Sequence, residues 1–68
     1  MHISTKEVNY IKDHLSWELL AAKKCFNHAN FLQDIQLKQV FDDAGKAHQE
    51  NYVNLLTYAN QISREVQS

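Results

Sequence analysis

The sequence predicts an all-α fold, a two-helix antiparallel hairpin that pairs with a second copy into a four-helix bundle. Three observations carry this. The 68 residues contain no proline and one glycine, whereas a sheet needs several turns rich in Gly, Pro, Asn and Asp. Apolar residues recur at alternating three- and four-residue steps over most of the chain, the seam of a bundle helix. Only the stretch NHANFLQD reads as a break, leaving room for one connection.

The first helix is expected over about residues 5–31. Ser4 followed by Glu7 is a capping-box pattern, in which hydroxyl and carboxylate each satisfy an orphan N–H of the first turn. Val8, Ile11, Leu15, Ala22, Cys25, Ala29 and Leu32 then form the seam, which Glu18 interrupts. The second helix is expected over about residues 35–63, with Asp34 as its N-cap. Its stripe runs Leu37, Val40, Phe41, Ala44, Ala47, His48, Tyr52, Leu55, Tyr58, Ala59 and Ile62. Gly45 costs about 1 kcal/mol against alanine in a helix interior, which close helix approach beside Ala44 explains better than a hinge. The tail from Arg64 to Ser68 is expected to fray.

A turn near Gln33 places residues whose numbers sum to about 66 at one height along an antiparallel pair. Ala29 then meets Leu37, Cys25 meets Phe41, Ala22 meets Ala44 and Ile11 meets Leu55. Glu18, the charged member of the first seam, lands level with His48, the imidazole of the second.

Length and composition restrict the rest. A chain this short buries a modest core and usually needs disulfides, a metal or a partner. Cys25 is the single cysteine, so no intrachain disulfide forms, and a reducing compartment is expected. Seven basic and eight acidic side chains leave a formal charge of −1, with no longer like-charge run than Lys23-Lys24 or Asp42-Asp43, so no basic footprint for nucleic acid exists. The start MHISTKEVNYIKDH has no apolar core of a signal peptide, and no apolar run approaches the ~20 residues of a membrane span. A cytoplasmic protein without membrane insertion is expected. Each helix has a second apolar face. Trp17, Leu19, Leu20, Phe26 and Phe31, with Tyr52 opposite them, exceed what one neighbouring helix covers, and a two-fold dimer would bury them. Tyr10, Tyr52 and Tyr58 with Trp17 suit the margin of that interface.

Glu18 and His48 are the candidate site. Bundle metal sites use inward-facing Glu residues and Glu-x-x-His pairs, and a dimer would bring two copies of each residue toward its axis, a set suited to iron, zinc or manganese. The set is incomplete, because AHQENY places Asn51 three residues after His48, and Glu50 points about 200° away. A buried, hydrogen-bonded Glu–His pair that fixes helix register is the favoured reading. His2, His14 and His28 read as surface residues and Cys25 as an inert packed thiol. Catalytic triads and paired acid–base carboxylates have no candidates. One glycine excludes phosphate-cradling loops, and a non-enzymatic role follows.

IKDHLSWELLAAKKCFNHAN and QDIQLKQVFDDAGKAHQENYVNLLTY also resemble the short spore coat protein F family, a ferritin-like group of endospore-forming bacteria. The matching features are Asp13, Leu15 and Glu18 in a D-x-L-x-x-E run, the Q-D-x-x-L-K helix start, and His48, Gln49 and Tyr52 in H-Q-x-x-Y, over about residues 5–60. The resemblance implies a half-sized ferritin-like bundle in the spore coat, with other coat proteins as partners. It matches Glu18 to the helix-one metal glutamate and His48 to the first position of the Glu-x-x-His pair, where Asn51 replaces the histidine. That departure favours a structural descendant over an iron oxidase.

Overall fold

The computed structural model describes residues 4–67, with side chains through Ile62. Helix α1 spans Thr5–Phe31 and helix α2 spans Ile35–Gln67. They pack against each other as the hairpin predicted, and α2 runs one turn past the expected end near residue 63. His2 and Ser68 lie outside the described residues.

Both helix starts form as the sequence dictates. Ser4 Oγ accepts from the Glu7 N–H at 3.1 Å while Glu7 Oε1 accepts from the Ser4 N–H at 3.3 Å, completing the capping box. Asp34 Oδ1 accepts from the Leu37 N–H at 2.7 Å, a cap typically worth about 1 kcal/mol. Leu32 ends α1 in extended backbone, with φ −83° and ψ 140°. No described residue has positive φ, so the connection needs no glycine.

The seam of α1 is as expected: Val8, Ile11, Leu15, Cys25 and Leu32 are half-buried and Glu18, Ala22 and Ala29 buried. The stripe of α2 needs correction. Leu37, Val40, Ala47 and Tyr58 are exposed, and the contact line runs Phe41, Ala44, Gly45, His48, Tyr52, Leu55, Ala59 and Ile62. Gly45 is buried on that line. A Cβ there would stand 2.7 Å from Phe26 Cε1 and 2.8 Å from Cζ, so the missing side chain seats the Phe26 ring. The close approach at Gly45 is made by the Phe26 ring rather than by the α1 backbone. Toward the turn, the His28 and Phe41 rings meet edge to face with centroids 5.6 Å apart, a favoured aromatic geometry.

The core is thin. Ala22, Ala29 and Ile62 are its buried apolar residues, and no large side chain among the described residues is fully buried. The hairpin is a slab of 51 × 17 × 11 Å.

Candidate functional site

Glu18 stands at the middle of α1 and His48 on the facing line of α2, at the height where the turn position placed them. Glu18 is 92 % removed from solvent, at 8 % exposure. An ionised carboxylate accepts only, so the imidazoles supply the protons. His48 Nδ1 donates to Oε2 at 2.6 Å and His14 Nε2 donates to Oε1 at 3.0 Å. Both carboxylate oxygens are therefore engaged, one across the helix pair and one along α1. The His48 hydrogen bond holds the Glu18 carboxyl below its ordinary 4.5, against the opposing push of burial, with the His14 hydrogen bond and the partial charge of both rings adding to the lowering. The 2.6 Å separation is in the range of charge-assisted bonds.

Sequence reasoning found Glu18 and His48 but left His14 as a surface residue. Its ring is largely exposed, yet its Nε2 completes the cluster. The available signal was its spacing: four residues before Glu18 on a helix puts the two side chains in reach. No buried side-chain polar atom among the described residues lacks a partner, so the cluster satisfies itself.

Each Glu18 oxygen already accepts an imidazole N–H, and both rings turn a nitrogen toward the carboxylate. Among the described residues, no three His, Cys, Asp or Glu side chains converge to hold an ion. Within one chain the set directs its polar atoms onto one another. It fits a register lock, because slipping α2 along α1 would strand an ionised, buried carboxylate.

The six residues expected at a dimer interface do not share one surface. Leu19 lines an open groove of about 310 Å³ with Ala22, Gln49, Tyr52 and Val53, and Phe26 lies on that side over Gly45. Trp17 is about 200° from Leu19 around α1. With Ser16 and Leu20 it lines a separate shallow depression. Phe31 is exposed at the turn. A single flat interface cannot cover them all. No helix among the described residues is long and apolar enough to cross a membrane.

No protein-family model matches the chain, and no solved structure matches it. The uncharacterized protein YuzM of Bacillus subtilis (strain 168) is 43 % identical over 56 residues, covering 82 % of this chain and 69 % of that protein. At that identity and coverage, the chain belongs to the family of YuzM.

Proposed function

We propose that the chain is a non-enzymatic structural protein whose working unit is a homodimeric four-helix bundle. The supporting observation is surface that one hairpin leaves uncovered. A compact monomer of 7.9 kDa exposes about 4,400 Å²; this hairpin exposes 5556 Å². The excess, about 1,100 Å², is more than the ~800 Å² each partner contributes to a standard interface. Elongation agrees: the radius of gyration is 15.5 Å, against about 11 Å for a compact chain of this length. A second copy is the partner of choice because closed two-fold homodimers are the commonest assembly.

The cellular setting we propose is the spore coat, alongside other coat proteins. That part is carried by the sequence resemblance, without support from a family model. The alternative role is metal binding by Glu18 and His48 across the dimer axis, where two copies of each residue would supply the donors.

Native mass spectrometry of untagged protein, purified without chelators, tests the assembly and the alternative together. The expected spectrum is a metal-free multiple of two chains. A monomer at micromolar concentration would falsify the bundle. A dimer with stoichiometric iron, zinc or manganese would move the reading to the metal protein. A fluorescent fusion in sporulating cells is expected to ring the forespore; diffuse signal throughout sporulation removes the coat setting and leaves the bundle intact.

A further inference from the structure

The surface that one hairpin leaves uncovered is enough for one interface and short of two. Of the 5556 Å² exposed, about 1,100 Å² is excess over a compact monomer. One standard interface takes ~800 Å² from each partner, and two would take ~1,600 Å². One flank of the hairpin therefore pairs, and the other stays in water. The two flanks differ in chemistry. On one, α1 and α2 together line the groove of about 310 Å³ with Leu19, Ala22, Gln49, Tyr52 and Val53. None of the five is charged, Leu19 and Val53 are exposed, and exposed Leu56 follows one turn beyond Val53. An uncharged, apolar centre that includes an aromatic ring is the make-up of an interface core. The opposite flank is where the polar cluster opens to water. His14 stands about 140° from Leu19 around α1, with the seam residues Glu18 and Ala22 between them, and its side chain is 62% exposed. Pairing on that flank would strip water from an imidazole, whereas pairing at the groove strips it from Leu19, Val53 and Leu56.

We propose that the two-fold axis of the bundle passes through the groove face, each copy burying Leu19, Tyr52, Val53 and Leu56 against the other. The inference rests on the bundle reading above and assigns its face. A two-fold interface is self-complementary, so the same patch serves both copies. Two consequences follow from the helical period. Trp17, about 200° from Leu19 around α1, stays in water in the dimer instead of joining the interface. The two His14–Glu18–His48 clusters open on the outer sides of the bundle, so they do not pool their donors around one ion at the axis.

Trp17 is the single tryptophan and is 67% exposed in the hairpin, so the unaltered full chain reports on its own flank. In the wild-type dimer, acrylamide is expected to quench Trp17 at close to its rate on the same chain unfolded in urea. A rate several times lower places Trp17 inside the interface and overturns the assignment while leaving the dimer standing. Sedimentation of two variants gives the second readout. Val53 and Ala47 are both exposed in the hairpin, and Ala47 lies about 200° from the groove residue Gln49 around α2. Val53→Glu is expected to sediment as single chains at concentrations where the wild type pairs, and Ala47→Glu to pair as the wild type does. Any other pattern between these variants, with helix content kept by circular dichroism, overturns the groove assignment. Where Val53→Glu loses its helix content, the quenching of wild-type Trp17 decides by itself. A wild type that sediments as one chain at every concentration overturns both this assignment and the bundle.

Discussion

Gly45→Ala is expected to destabilise the wild-type chain and to stabilise a Phe26→Ala background. On α2 alone, alanine should gain about 1 kcal/mol, the helix-propensity difference from glycine. The new Cβ would, however, stand 2.7 Å from the Phe26 ring, well inside ordinary contact. Phe26 is half-buried, so the ring can swing outward, at the loss of its packing on α2. Overpacking of this kind costs about 1–3 kcal/mol. The net effect is a loss on the order of 1 kcal/mol, or about 4–8 °C in Tm for a chain of this size. Removing the ring removes the conflict, and the propensity gain should then appear with its sign reversed. Thermal melts of the four proteins at one fixed concentration give the coupling directly. Equal effects of Gly45→Ala in both backgrounds would mean that Phe26 does not rest on Gly45. Gly45→Leu, whose side chain cannot be accommodated by a small ring movement, should abolish the cooperative transition.

This pair also marks where sequence reasoning stopped. The heptad steps of α1 name its contact seam residue by residue, because the polar side of α1 is well supplied with Lys and Asn. On α2 the apolar residues reach around both flanks, so periodicity leaves the contact line free to rotate. Leu37, Val40, Ala47 and Tyr58 were expected on the line against α1 and are exposed. Phe26 seats on Gly45 along the observed contact line, and a pairwise fit has no signature in hydropathy. The Glu18–His48 contact was legible because it needs only the turn position and the 1.5 Å rise per residue. The division of Trp17 from Leu19 was legible in principle too, since adjacent-but-one residues on a helix point apart. Counting them together as surplus apolar surface concealed that they belong to two faces. Function was less legible still, because a satisfied polar cluster and bare apolar faces fit many partners.

The second large effect is expected at Glu18. Glu18→Gln keeps the size of the side chain but turns one of two acceptors into a donor. An amide oxygen can accept from one imidazole, while the amide NH₂ confronts the other ring, which must change tautomer to receive it. The wild type should therefore be the more stable at neutral pH, by several degrees in Tm. The pH dependence has a definite sign. The His48 hydrogen bond sets the native carboxyl below its ordinary 4.5, so folding favours the ionised form. The resulting stability is fully present above the unfolded carboxyl's pKa. It is lost as pH falls through the lowered native value, where native Glu18 takes up its proton. Melting curves of wild type and Glu18→Gln are thus expected to differ most at neutral pH and to draw together below pH 4.5, a window set by that downward shift. A gap that stays constant from neutral pH down to pH 3 would mean that Glu18 is not the titrating group. A variant more stable than wild type at neutral pH would mean that the desolvation of a buried carboxylate outweighs its two hydrogen bonds. His48→Ala should then narrow the gap more than His14→Ala does. The His48 bond is the shorter and crosses between the helices, whereas His14 bonds within α1 from a largely exposed ring.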